Sequence, residues 1–359
     1  MGIQEKIKDI EEEMARTQVN KATEYHLGVL KAKIAKLRRQ LIAPSGTSGG
    51  GGFDVRKSGD ATAVLIGLPS VGKSTLLGKL TRKESKVAAY AFTTLKCIPG
   101  VMEHKGARIQ ILDLPGIIEG AKDGKGRGRE IIAVARNADL ILALVEATHP
   151  KQRRVIESEL YGFGIRINKK APHVIIKKLA RGGVTINSTV KLTKISNNEI
   201  MAALNEYRIF NANVILRENI SVDEFIDVLE GNRAYVPVLY VLTKADLVSN
   251  EMKKSDTEYD ISVAAEKGEG IAELREMIYR KLDLISIFTK KRKEDADLEE
   301  PMVVRNGITV GEMCAKLHRD LKKEFRFALV WGESVKHQPQ RVGLGHVLKN
   351  GDVIQIVKI

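Results

Sequence analysis

The sequence predicts an α/β fold, a mostly parallel sheet with helices on both faces. Three observations carry that prediction. Four short runs, ATAVLIGL (61–68), ARIQILDL (107–114), LILALV (140–145) and VPVLYVL (236–242), are apolar on both faces and alternate with helical segments. Strands of this kind belong to a sheet covered on both sides and joined by right-handed crossovers. The first run leads directly into a glycine-rich loop and then into the helical TLLGKL. At 359 residues the chain exceeds one compact core, and its texture changes several times, so attachments to the sheet domain are expected.

The elements follow in order. Ile3, Ile7, Ile10 and Met14 form one apolar helical stripe, and Leu27, Leu30, Ile34, Leu37 and Leu41 form a second. Together they read as a helical hairpin. Glu11, Glu12 and Glu13 on the first helix face Lys31, Lys33, Lys36, Arg38 and Arg39 on the second, which favours antiparallel docking. The hairpin either packs on its own chain or binds a partner. PSGTSGGGG (44–52) reads as a flexible linker, so residues 1–60 form hairpin plus linker. The sheet domain is expected over 61–289, interrupted by a basic α+β insertion over 151–235. Residues 151–194 carry 11 Lys/Arg against 2 Asp/Glu. EIMAALNEY and VDEFIDVLE are its helical pieces. A charged linker and a small mixed α/β unit complete the chain over 290–359. There Trp331 and Phe327 read as core residues, with stacking on a base as the alternative.

Composition sets the class. With 43% hydrophobic and 29% charged residues, the chain is globular rather than disordered. Its two cysteines, Cys97 and Cys314, exclude a disulfide framework and a cysteine-rich zinc site, and they suit a reducing, cytoplasmic setting. No apolar run reaches the roughly 18 residues of a membrane helix. MGIQEKIKDIEEE lacks the apolar core of a signal peptide. The balance of 59 Lys+Arg against 45 Asp+Glu, +14, suits a polyanionic partner such as RNA or simply a basic surface. No membrane or DNA partner is expected. The seven histidines show no metal-ligand spacing.

The chemistry lies in motifs. Gly67, Pro69, Ser70, Val71, Gly72, Lys73, Ser74 and Thr75 fit G-x-x-x-x-G-K-[ST] between a strand and a helix, the context of a phosphate-binding P-loop. Backbone N–H groups would cradle phosphate oxygens at a helix N-terminus. Lys73 would reach the β- and γ-phosphates, and Ser74 would bind Mg²⁺. Asp113 in DLPG would complete the Mg²⁺ shell, and Gly116 would offer its N–H to the γ-phosphate. In TKAD, Asp246 accepts two hydrogen bonds from guanine and specifies GTP over ATP, the Lys244 stem covers the nucleotide, and Thr243 ends the strand. Thr94, in YAFTTL, is assigned to Mg²⁺ and the γ-phosphate in a switch segment. The Ala265 N–H is assigned to the guanine O6, with a register at Ser262 as the competitor.

These motifs in this order resemble the translation-factor-type GTPases. GLPSVGKSTL, YAFTTL and DLPGIIEGA followed by GKGRGRE resemble the Obg-related branch more narrowly. The whole layout, with YGFGIRINKK and ILRENISVDEFIDVLEGNR, is similar to the developmentally regulated GTP-binding proteins, the DRG family. The resemblance implies that the insertion is like the second domain of ribosomal protein S5. It implies that the C-terminal unit is a β-grasp TGS domain, and that the partner is a ribosome or RNA. RNA contact is assigned to Lys169, Lys170, Lys177, Lys178 and Arg181. Two departures stand out. Thr243 replaces an Asn that contacts base and P-loop, which predicts weaker nucleotide binding. Ser70 replaces the Asn that holds a monovalent ion in K⁺-activated relatives, which leaves K⁺ activation open.

Hydrolysis needs a positioned water and neutralised γ-phosphate charge. The residue after D-x-x-G is Ile117, whose side chain cannot hydrogen-bond a water. Slow turnover is expected, with K⁺, an in-chain group or a protein activator supplying the missing element. Arg127 and Arg129 read as solvated or RNA-facing charges, with a role at the phosphates as the alternative. The reading is therefore a slow GTPase switch on ribosomes or RNA. The competing reading is a non-enzymatic RNA-binding scaffold that uses GTP as a structural ligand.

Overall fold

Every residue of Ala61–Gly67 (β1) is buried, as a strand covered on both faces requires. The computed structural model describes residues 2–42, 59–81, 88–89, 96–114, 133–248, 259–290, 298, 301–318 and 320–358. It places β1 at the centre of a seven-stranded sheet. The other strands are Ala88–Ala89 (β2), Lys96–His104 (β3), Ala107–Asp113 (β4), Leu140–Glu146 (β5), Val238–Thr243 and Ile261–Ser262. The spatial order is Ile261–Ser262, Val238–Thr243, β5, β1, β4, β3, β2. The pairings from Ile261–Ser262 through to β4 are parallel, whereas β3 and β2 run antiparallel. The expected α/β fold is present. The helices Lys73–Leu80 and Ile271–Lys281 bury Leu76, Leu80, Leu274 and Ile278 against Ala63 and Leu65.

Three of these strands escaped the sequence. β3 contains Pro99 and Gly100, which argue against a central strand. Among the described residues, Pro99 is paired only with Leu112 of β4, and β2 pairs with Cys97 and Lys96. Gly100 is required, because a Cβ there would lie 2.4 Å from Thr81 Cγ2 at the end of the first sheet helix. β2 and Ile261–Ser262 are two residues each, too short for a pattern.

The chain divides into two compact units. One contains the seven-stranded sheet and everything after 237. Its second sheet runs in the order Met302–Arg305, Leu284–Thr289, Val353–Lys358, Phe325–Trp331, Gln340–Val342. Leu284–Thr289 falls inside the expected bounds 61–289 of the sheet domain. It instead pairs antiparallel with Met302–Arg305 and parallel with Val353–Lys358. The helix Val310–Leu317 covers this sheet, its N-terminus closed by a capping box in which Glu312 accepts from the Thr309 N–H at 2.8 Å.

The other unit is built from residues within 1–54, 117–137 and 151–236. Its hairpin helices are Ile3–Arg16 and Glu24–Ile42, linked by an Arg38–Glu11 ion pair at 2.8 Å. Of the second helix's predicted stripe, Leu27, Leu30 and Ile34 are buried and Leu37 and Leu41 half-buried. Ala32 and Ala35 join Ala203, Leu204 and Phe225 in one core. Gly28 allows this approach, since a Cβ would stand 3.2 Å from that of Ala202. Above this core lies a three-stranded sheet, Val174–Lys178, Ala212–Leu216 and Val184–Ser188, with helices Asn197–Glu206 and Val222–Glu230 beneath it.

Candidate nucleotide site

β1, β4, β5 and Val238–Thr243 are parallel, so their C-terminal ends meet at one sheet edge. In open parallel sheets that edge is where ligands bind. β1 ends at Gly67, where a Cβ would meet Leu144 O and Val71 Cγ1 at 2.9 Å. Ser70 (φ 61°) and Gly72 (φ 94°) turn the loop through left-handed conformations. Val71 is buried, while Pro69, Ser70, Ser74 and Thr75 are exposed. The helix that starts at Lys73 has no side-chain cap, leaving first-turn N–H groups facing the loop.

Lys73 bonds to the loop's own backbone and Ser74 to a neighbouring strand. Lys73 Nζ donates to Gly67 O at 3.1 Å and Leu68 O at 2.9 Å. Burial pushes the Lys73 ammonium below its ordinary pKa, and the Asp113 carboxylate pulls it back up. The Ser74 hydroxyl donates to Asp113 Oδ2 at 2.7 Å. Asp113 closes β4 and is buried. Its Oδ1 has no hydrogen-bond partner among the described residues.

On the other side, the buried Thr243 hydroxyl lies 2.8 Å from Val71 O and 3.2 Å from Val145 O. It has one proton to donate, and the shorter contact ties the TKAD strand to the P-loop. The shorter side chain therefore still reaches the loop. Lys244, at φ 53°, is followed by a turn in which Leu247 N–H donates to Lys244 O. Its Nζ donates to Glu146 Oε1 at 3.0 Å, and this bond, foremost, holds the Glu146 carboxyl below its usual range. Sequence reasoning missed Glu146. Its one signal was an acidic residue directly after the apolar run LILALV. Asp246 faces the Lys267 ammonium at 3.5 Å.

The segment 261–269 sits beside TKAD because Leu242 and Ser262 are in register. The Val263 N–H donates to Leu242 O and the Ala264 N–H to Glu269 O, while Ala265 O accepts from Gly268 N–H. None of these bonds uses the Ala265 N–H. Thr94, Gly116, Ile117, Arg127 and Arg129 lie outside the described residues.

The basic insertion is a separate surface. Lys169, Lys170, Lys177, Lys178 and Arg181 are exposed, and Lys169 pairs with Glu224 at 3.2 Å. Lys177 and Lys178 are neighbours on one strand and so project from opposite sheet faces. They do not form one patch. Lys177 shares its face with Ile175, Asn213 and Thr185.

Comparison with known proteins agrees with this architecture. Residues 62–178 match the family described as 50S ribosome-binding GTPase, 181–284 match the C-terminal region of the same domain, and 285–358 match the TGS domain. The human developmentally-regulated GTP-binding protein 2 is 53% identical, covering 100% of both chains. Its Dictyostelium discoideum homologue is 50% identical, again over 100% of both. An uncharacterised GTP-binding protein of Methanocaldococcus jannaschii is 51% identical, covering 99% of this chain and 93% of that protein. The chain belongs to the developmentally regulated GTP-binding protein family and is a GTP-binding protein with a P-loop GTPase domain and a C-terminal TGS domain.

Proposed function

We propose that this protein is a slow, cytoplasmic guanine-nucleotide switch that cleaves GTP to GDP and phosphate and acts on ribosomes or RNA. The convergence of the P-loop, the Ser74–Asp113 pair and the TKAD turn at one sheet edge supports this reading best. In it, the N–H groups of the loop and first helical turn take phosphate oxygens. Lys73 exchanges the Gly67 and Leu68 carbonyls for the β- and γ-phosphates. The unpartnered, buried Asp113 Oδ1 beside the Ser74 hydroxyl fits a hard divalent cation bound through oxygen, so these two residues would hold Mg²⁺. Mg²⁺ supplies charge neutralisation at the phosphates when bound.

Asp246 would exchange the Lys267 ammonium for guanine N1–H and the exocyclic amine, and the Ala265 N–H would take O6. Glu146 is a positioning residue that holds the Lys244 stem over the nucleotide. Thr94 and Gly116 keep their assignment to the γ-phosphate on sequence grounds. The Ile117 side chain leaves the attacking water unoriented, so turnover is slow until K⁺, an in-chain group or a partner completes the site. The exposed lysines of the insertion and the description of the matching family support a ribosomal or RNA partner.

Titration with labelled GDP and ADP tests the core, and equal affinities would defeat it. Asp246→Asn should move preference from guanine to xanthine nucleotides. Unchanged preference would remove Asp246 from base recognition. Ile117 also motivates a second reading, an RNA-binding scaffold with GTP as a structural ligand. Single-turnover hydrolysis with ribosomes and K⁺ separates the two: stimulation supports the switch, and none under any condition supports the scaffold.

A further inference from the structure

The stretch 117–137, which follows the DLPG motif, belongs to the compact unit of the hairpin and the insertion, not to that of the seven-stranded sheet. Its described end, 133–137, is helical, with Val134 and Ala135 buried and Arg136 half-buried. Arg136 Nη1 donates to Phe163 O at 3.3 Å, and its Nη2 donates to Asn232 O. Phe163 caps the helix Gln152–Gly162, and Asn232 follows Gly231, which caps Val222–Glu230. One side chain thus joins the C-terminal ends of two insertion helices. Carbonyls there lack helical partners, and the helix dipoles favour a cation. Three residues later the chain is back on the sheet, where Asp139 Oδ2 accepts from the Thr62 N–H at 2.8 Å.

The insertion leaves room for this contact. Gly164 sits at φ 76°, and a Cβ there would stand 3.2 Å from Arg233 Cδ and 3.5 Å from Arg136 Nη1. Arg233 is fixed by Asp227 at 2.8 Å and by Asn232 Oδ1 at 2.9 Å. Burial first, and the Arg233 charge second, push the Arg136 pKa down. Both described partners of Arg136 are carbonyls and its charged neighbour repels it. The contact is therefore a latch that can open, unlike the Arg166–Asp227 ion pair beside it.

We infer that Arg136 is a positioning residue for hydrolysis, through which the insertion holds the far end of the segment that starts at DLPG. The near end stays with the sheet, where Asp113 accepts from Ser74. Ile117 cannot orient a water, so the missing element has to come from elsewhere. The latch gives a partner bound to the insertion a covalent route to that segment. The inference rests on the proposed hydrolysis, and its test separates the two.

Single-turnover hydrolysis and labelled-GDP affinity are measured on the full-length protein and on its Arg136→Gln and Arg136→Lys variants. Arg136→Gln should slow hydrolysis about ten- to a hundredfold, the cost of a misplaced reacting group, with GDP affinity within about twofold. Arg136→Lys keeps the charge but replaces the fork by a point donor, and should recover part of the rate. An unaltered rate in Arg136→Gln overturns the role. If that variant loses GDP binding and with it the fold, Arg136→Lys decides, and an unaltered rate there overturns the role. A second readout needs no turnover. Hydrogen exchange in peptides covering 160–166 and 229–236 should differ between GDP and a non-hydrolysable GTP analogue in the unmodified protein, and not in Arg136→Gln. Equal exchange with both nucleotides in the unmodified protein overturns the latch and leaves GTP binding standing. If the unmodified protein does not cleave GTP at all, the hydrolytic reading fails, and the exchange difference alone decides the latch.

Discussion

Thr243 shows how one residue serves two sites. A β-branched side chain at the last position of a strand has little χ1 freedom, so its hydroxyl is aimed before any ligand arrives. It is aimed at Val71 O, 2.8 Å away in the P-loop. Thr243→Val keeps the shape and removes the donor. The expected cost is about 1–2 kcal/mol in denaturant unfolding, together with weaker GDP binding because Val71 is no longer tied. Unchanged GDP affinity in titration would show that the tie does not position the loop. The phosphate and base motifs were legible because each is a short run whose residues act within one loop. Glu146 was not, because its partner Lys244 is 98 positions away and only the parallel pairing of their strands brings them together.

Among elements, the helix Ile271–Lys281 illustrates how an exposed contact depends on pH. Glu276 accepts from Lys105 and His104, at the β3–β4 turn, and from Arg280 on its own helix. These bonds, that from Lys105 foremost, hold its carboxyl at about 2 instead of the usual 4.5. A depressed carboxylate stabilises the fold fully above its unfolded pKa and loses that contribution as pH falls through the folded one. Glu276→Gln should therefore lower the thermal midpoint at neutral pH, with a gap that narrows as pH falls from about 4.5 towards 2. A gap undiminished at about pH 3 would mean that side-chain shape, not charge, makes the contact. The long helices and the strands buried on both faces were legible from periodicity. β3 was not, because its Gly100 answers to a local need, a helix end packed close beside it, that no pattern encodes.

At the scale of the molecule, the sequence indicates a sheet domain with attachments, and the RNA assignment to the insertion rests on charge alone. Charge is legible without structure, but direction is not, and Lys177 and Lys178 point to opposite faces. The same holds for Phe327 and Trp331, whose size suggests a core although their strand parity turns them outward. Parity also shapes the strand pair Leu284–Thr289 and Met302–Arg305. Leu284 and Val303 belong to the core of the seven-stranded sheet, whereas Ile285, Ile287 and Val304 belong to the C-terminal core. The two hydrophobic interiors thus share one wall. A wall cannot be removed from one room only: a chain cut at 290 would keep Leu284 without the strands that hold it. The nucleotide domain and the C-terminal sheet should melt together, as one calorimetric transition that bound GDP shifts as a whole. Two separate transitions, with only one moved by GDP, would show that the wall does not join them.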